Sequence, residues 1–118
     1  MLDRLLLQQE NKVCFDCKSK NPKWASSNIG IFLCYQCTSV HRNFGVHISF
    51  VRSLKMDRWK NKELKCMELG GNKLATAFFE KNNMMKADGT PNHLAPQLAK
   101  HKTDLTKRAE AAILGSYT

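Results

Sequence analysis

Acidic residues are scarce in this chain. Ten aspartates and glutamates stand against nineteen lysines and arginines, a formal net charge of +9 over 118 residues. That balance favours an anionic partner: nucleic acid, an acidic membrane surface or a phosphate-bearing protein complex. It does not choose among them. The basic residues are scattered, the densest stretch being Arg52, Lys55, Arg58, Lys60, Lys62 and Lys65, and a solvated basic face explains them as well as a binding surface does. Long hydrophobic runs are also missing. The apolar N-terminal residues Leu2, Leu5, Leu6 and Leu7 are interrupted by Asp3 and Arg4 and ended by Gln8, Gln9 and Glu10. That run is too short to cross a bilayer and lacks the small-residue cleavage site of a secretory leader. There is no G-x4-G-K-[ST] loop, no kinase signature set and no conventional nucleophile–base pairing, so the chain alone is expected to hydrolyse nothing. No repeat or low-complexity tract is visible. Five cysteines, an odd number, do not make a fully paired secreted framework. These features lead to the expectation of one intracellular domain over residues 1–118, with a core small enough for a metal staple to matter.

The cysteines carry the strongest signal. Cys14/Cys17 and Cys34/Cys37 are two C-x2-C pairs separated by sixteen residues. Each pair places two sulfurs on one tight turn, and two such turns at this spacing complete a tetrahedral four-thiolate zinc site with Zn–S near roughly 2.3 Å. Disulfides are the alternative, but adjacent C-x2-C turns in intracellular chains serve metals or redox chemistry more often than scaffolds. Four thiolates close the coordination shell, so the zinc is expected to be structural, one per chain, with no open position for catalytic water. Such sites contribute roughly 10–16 kcal/mol of apparent folding energy. His41, four positions after Cys37, is a conceivable substitute ligand, though with four cysteines present it is expected to pack or hydrogen-bond instead.

Periodicity and punctuation predict the remaining elements. Residues 2–10 read as a short amphipathic helix, and a zinc element extends over about 11–45. Within it, residues 23–25 and 30–33 read as two strands joined by the polar turn Ser26-Ser27-Asn28, and residues 35–44 as a helix stopped by Gly45. A strand is expected over 48–54. A helix follows over 57–69, capped by Asp57 or Asn61. Asn72 is expected to cap the next helix, which would turn Leu74, Ala75, Phe78 and Phe79 to the core alongside Phe50 and Leu54. Residues 81–97, with Gly89, Pro91 and Pro96, read as loop, and 98–114 as a weaker helix. Cys66 is expected to be an inert buried thiol.

Across Cys14, Cys17, Cys34, Cys37 and Arg42, at these spacings, the sequence resembles the Arf GTPase-activating (ArfGAP) family. The intervening words agree as well: NKVCFDC at 11–17, NPKWASSNIGIFLC at 21–34 and HRNFGVHISFVRSLKMDRW at 41–59. The segment GGNKLATAFFE at 70–80 resembles the Golgi-acting, Gcs-type subgroup. The resemblance spans roughly Leu7 to Glu80. Beyond it, Lys102 and Ala109 stand where the family commonly places aromatics. The resemblance implies an α+β fold, a small four-cysteine zinc-finger element with a short antiparallel sheet surrounded by helices. It also implies stimulation of GTP hydrolysis on an Arf-type small GTPase, with Arg42, five positions after Cys37, acting as a finger in trans.

The chemistry suits that expectation. Phosphoryl transfer spreads charge over oxygens that a planar, permanently charged guanidinium can bridge. A helix whose start is pinned to metal would aim Arg42 stiffly. The GTP and Mg2+ would belong to the partner. Other contact candidates are Trp24, either cover for the zinc element or an interface anchor; His47, near the partner surface or simply structural; Arg52, in the basic stretch; and Asp57, capping a helix or orienting the arginine-bearing loop. The implied setting is vesicle traffic: a cytoplasmic protein recruited to Golgi membranes, its basic face near anionic lipid and coat proteins. Two alternatives remain at the level of residues. One is a four-cysteine nucleic-acid-binding finger, although the helix over 35–44 offers only His41 and Arg42 as strong polar readers. The other is a non-catalytic protein-interaction module, which a buried Arg42 would favour.

Overall fold

In the computed structural model, which describes residues 2–115, three short strands sit between two hydrophobic layers. They are β1 (Trp24–Ser26), β2 (Ile31–Leu33) and β3 (Val51–Ser53), antiparallel in the order β2-β1-β3. All three residues of β2 are buried because each face of the strand meets a different core. Ile31 and Leu33 join Phe15, Ile29, Phe79 and Met84, while Phe32 joins Leu5, Ala25 and Met67. The period-two alternation of a strand produces this division. The fold is therefore the α+β arrangement expected, with helices around a small sheet.

Among the described residues five helices surround it: α1 (Leu2–Leu5), α2 (Tyr35–Phe44), α3 (Asn61–Leu69), α4 (Asn72–Lys81) and α5 (Leu98–Gly115). The predicted helix over 2–10 is not continuous. α1 ends at Leu5 and a 3-10 turn follows at Gln9–Lys12. The Asn11 amide donates to the Leu5 carbonyl at 2.9 Å, taking the acceptor that a continuing helix would offer to Gln9. β3 is likewise shorter than 48–54. Asn28 holds the flanking backbone instead, its amide nitrogen donating to Ile48 O (3.3 Å) and its oxygen accepting from Phe50 N–H (2.9 Å).

The expected caps are also corrected. Asp57 closes a turn, accepting from Ser53 N–H at 2.7 Å. α3 begins at Asn61, and the preceding Lys60 N–H is satisfied by Glu63 Oε1 at 2.8 Å. Asn72 is the first residue of α4 rather than its cap. Its side chain accepts from Phe32 N–H (2.8 Å) and donates to Glu10 O (2.9 Å) and Val13 O (2.8 Å). Its own N–H is received by Asn11 Oδ1 at 2.9 Å, so a residue far away in sequence caps this helix. A buried amide satisfied at every position ties the N-terminal segment, β2 and α4 together.

α5 packs on α3 through Leu105, Ala109 and Cys66, and Cys66 is buried as expected. A close approach makes this possible. Gly30 has φ +79°, and a Cβ there would lie 2.9 Å from Leu105 Cδ2, so only glycine suits the site. Leu74, expected in the core, is instead 37% exposed. Phe50 is half-buried, with the Arg52 guanidinium 4.1 Å above its ring. The stretch between α4 and α5, read as loop, contributes buried Met84 and His93.

Candidate functional site

Two turns of backbone bring the four cysteines together. At the first, Cys14 N–H donates to Ser19 O (2.7 Å) and Lys18 N–H to Cys14 O (2.9 Å), forming a tight knuckle. At the second, the register Trp24↔Leu33 places the end of β2 against β1, and Cys34 follows directly. Cys34 precedes α2 and Cys37 lies in its first turn. The four sulfurs lie within 4.8 Å of one another, Cys17 and Cys34 being 3.5 Å apart. Thiolates around one zinc at about 2.3 Å would sit roughly 3.8 Å apart, so the donor set fits a single tetrahedral zinc. All five cysteines are free of disulfides.

Four thiols this close cannot all ionise unaided. Burial, then the charge of Cys14, pushes the Cys37 thiol up. Burial also opposes ionisation of Cys17, but hydrogen bonds from the Ser19 hydroxyl and N–H outweigh it and bring that thiol down to about 6. A divalent cation is what allows all four to be thiolates together.

Inside the first knuckle, Asp16 does something the sequence did not reveal. Its two carboxylate oxygens accept from His41 Nε2 and His93 Nε2, each at 2.7 Å. Burial opposes its charge, yet the two imidazoles hold the carboxyl well below the usual carboxylate range. His41 is fully buried and its Nδ1 meets Ser49 Oγ at 2.7 Å, which bonds Ser26 Oγ at 2.7 Å. His41 therefore hydrogen-bonds, as expected, and is not a zinc ligand. Asp16, His41 and His93 do form a three-ligand cluster. Their 2.7 Å spacings nonetheless mark hydrogen bonds, since donors on a common zinc sit roughly 3.3 Å apart. The cluster ties the knuckle to the last turn of α2 and to the loop before α5. His93 lies in a stretch with no periodic pattern, so no sequence signal pointed to it.

The last turn of α2 also carries Arg42, which is exposed. Its guanidinium carbon lies 5.0 Å from the centroid of the Trp24 ring, and Trp24 in turn tilts against Tyr35 at 5.8 Å. Trp24 is half-buried, packs against the core cluster that holds Cys14 and lines one hollow with Cys34. It thus both covers the sulfur cluster and presents a ring to solvent. Gly45, φ +95°, ends the helix; a Cβ there would meet the His47 ring at 2.8 Å. His47 is exposed on the loop that follows. That loop is held from behind by Lys102, whose ammonium donates to His47 O (2.8 Å) and Ile48 O (3.0 Å). A lysine where an aromatic was expected thus docks α5 onto the arginine-bearing segment. Arg52 is set back, stacked on Phe50 and 3.6 Å from Glu63. The structure therefore puts Arg42 against Trp24 and His47 on the loop that follows α2, with Arg52 in β3 and Asp57 in the turn after it. With His41 buried, a groove-reading use of α2 loses one of its two readers. With Arg42 exposed, the observation that would have favoured a non-catalytic module is absent.

Comparison with known proteins agrees with this geometry. The family described as "ArfGap: Putative GTPase activating protein for Arf" matches residues 1–111, well past Glu80, the limit of the resemblance seen in the sequence. Mouse stromal membrane-associated protein 1 is 46% identical over 82 residues, covering 70% of this chain and 19% of that protein. The Saccharomyces cerevisiae ADP-ribosylation factor GTPase-activating protein GCS1 is 49% identical over 84 residues, 69% of this chain and 24% of its own length. The chain thus spans only about a fifth to a quarter of these relatives. A solved structure from Cryptosporidium parvum, described as a "putative GTPase activating protein for ADP ribosylation factor", superposes with TM-score 0.81 at 33% identity, over 91% of this chain and 90% of that one. The family model spans nearly the whole chain and the solved structure shares its fold, and the chain belongs to the ArfGap family.

Proposed function

We propose that this chain accelerates GTP hydrolysis on an Arf-type small GTPase by placing Arg42 in the partner's active site. The observation that carries this reading is the stance of Arg42, exposed at the end of a helix that begins at the cysteine cluster, with its guanidinium resting on Trp24. A cation–π contact at an exposed site is worth about 0.5–1 kcal/mol. An arginine finger accelerates phosphoryl transfer by about 10^3–10^5, or roughly 4–7 kcal/mol of barrier. Leaving Trp24 for a phosphoryl oxygen therefore costs little against what is gained.

The division of labour follows. The partner holds GTP and Mg2+ and orients the attacking water. Arg42 neutralises charge that develops between the γ-phosphoryl group and its leaving oxygen. Cys14, Cys17, Cys34 and Cys37 hold zinc, whose part is to fix the start of α2. The Asp16 cluster fixes its end from the other side. Trp24 and His47 flank the finger and complete the contact face, with Arg52 and Asp57 further along β3. We place this activity in vesicle traffic, with a cytoplasmic protein recruited to Golgi membranes and coats, and residues 1–118 working as one catalytic module.

The test is single-turnover hydrolysis by a GTP-loaded Arf-type GTPase with and without the chain. Stimulation of about 10^3-fold or more is expected. Absence of stimulation at saturating chain contradicts the proposal.

A further inference from the structure

Beside the Trp24 face lies a depression of about 280 Å3 whose rim carries Lys12, Lys23 and Lys55. Its walls are the apolar side chains of Leu6, Pro22 and Leu54, and among the described residues Asp3 is the one acid lining it. All three lysines are exposed. Among the described residues none of them has an ion-pair partner, although Arg4, Arg52 and Lys65 all do. Three cations against one acid around an apolar floor raise the local potential. They also leave unused hydrogen-bond donors.

The depression is continuous with the finger's pedestal. A second hollow of about 320 Å3 shares Asn21 and Lys23 with it and is lined by Trp24, Tyr35 and Met56. Tyr35 and Met56 are 65% and 77% exposed, large apolar groups of the kind that anchor interfaces. A body seated on Trp24 and Tyr35 therefore extends over the three lysines.

We propose that Lys12, Lys23 and Lys55 receive an acidic segment on the surface of the GTPase partner, next to where Arg42 enters. This rests on the arginine-finger reading for the partner's identity, but it assigns a separate task. The lysines steer and register the encounter; Arg42 acts on the chemistry. A concave, lysine-rimmed hollow suits a protruding acidic loop better than it suits a bilayer, whose plane cannot follow the recess while Trp24 engages a protein.

The experiment uses a soluble GTPase lacking any lipid anchor, loaded with a non-hydrolysable GTP analogue, with no vesicles present. Association is followed by stopped flow at about 50 and 300 mM salt, either side of physiological screening. Lys12→Ala/Lys23→Ala/Lys55→Ala should slow association by about tenfold at low salt and flatten its salt dependence, because charges at an interface rim act mainly on the on-rate. The single-turnover hydrolysis rate at saturating chain should stay within about twofold of wild type. The triple Lys→Arg variant should associate like wild type. As a control for overall charge, Lys73→Ala/Lys81→Ala/Lys86→Ala removes three exposed lysines elsewhere and should leave association nearly unchanged.

Unchanged association of the first triple variant overturns the proposal. If association is unchanged and a separate sedimentation assay shows that the variant no longer binds phosphatidylserine vesicles, the lysines belong to a membrane surface and the proposal is likewise overturned. Equal slowing by the control variant overturns it too, reducing the effect to net charge. Failure of the finger reading looks different: wild-type chain that binds the loaded GTPase yet does not stimulate hydrolysis leaves the docking surface standing.

Discussion

The guanidinium carbon of Arg42 lies 5.0 Å from the centroid of the Trp24 ring, so the residue assigned to chemistry rests on the residue expected to anchor the partner. This joins two roles that sequence reading kept apart, core cover and interface anchor. Trp24 also acts as a rest for the finger.

Trp24→Ala is therefore expected to weaken binding without slowing the chemical step. Affinity for the GTP-loaded partner should fall by about 2 kcal/mol or more if Trp24 is a hot spot. The rate at saturation should lie between that of wild type and about fivefold above it, because the resting contact that Arg42 gives up on entering, worth about 0.5–1 kcal/mol, is then absent. Single-turnover titrations separate the two constants. A saturating rate several-fold below wild type contradicts the resting role.

Chelation tests the metal. One zinc per chain is expected on Cys14, Cys17, Cys34 and Cys37, and stripping it should unfold the knuckle and release α2. Structural zinc carries roughly 10–16 kcal/mol, comparable to the whole stability of an ordinary domain. Circular dichroism during titration with a strong chelator should show a cooperative loss of structure. A folded, active, zinc-free sample contradicts the assignment.

Asp16→Asn tests the clamp on the far end of α2. An amide can accept from only one of His41 and His93 and turns a donor on the other, leaving a buried polar group unpaired. Such a defect costs about 1–3 kcal/mol, and the lost charge adds to it. Denaturant unfolding with zinc present should show a loss of about 2 kcal/mol or more. A change within about 0.5 kcal/mol, the ordinary range for surface positions, contradicts it.

His101 supplies a pH dependence. Burial holds its pKa below the ordinary histidine value, against the hydrogen bond from its Nε2–H to Ile29 O at 2.9 Å. The folded state thus favours the neutral ring. Its contribution to stability is complete above the unfolded value of about 6.5 and is lost as pH falls below it towards the lower folded value. His101→Gln keeps a donor for Ile29 but does not titrate. The melting temperature of wild type should decline relative to this variant between about pH 7.5 and pH 5.5. Parallel curves contradict the assignment.

Much of this was legible in the sequence, because short-range rules governed it. The two C-x2-C turns fix the metal cluster, and Gly45 ends α2 where its positive φ requires glycine. Long-range polar contacts were not legible. Asn72 looked like a cap because local statistics favour it there, but its partners Glu10, Val13 and Phe32 lie decades of residues away. Asp16 and His93 meet for the same reason, across a separation no periodicity encodes. Lys102 did not read as a structural group because lysine is ordinarily solvated, yet it spends its ammonium on two loop carbonyls.

Arg42→Lys tests the central claim most directly. The variant should fold, keep one zinc per chain and bind the GTP-loaded partner, yet lose about 10^2-fold or more of the single-turnover rate. An ammonium keeps the charge but lacks the planar fork that bridges two phosphoryl oxygens. A variant retaining more than about a third of the wild-type rate at saturation would contradict the account.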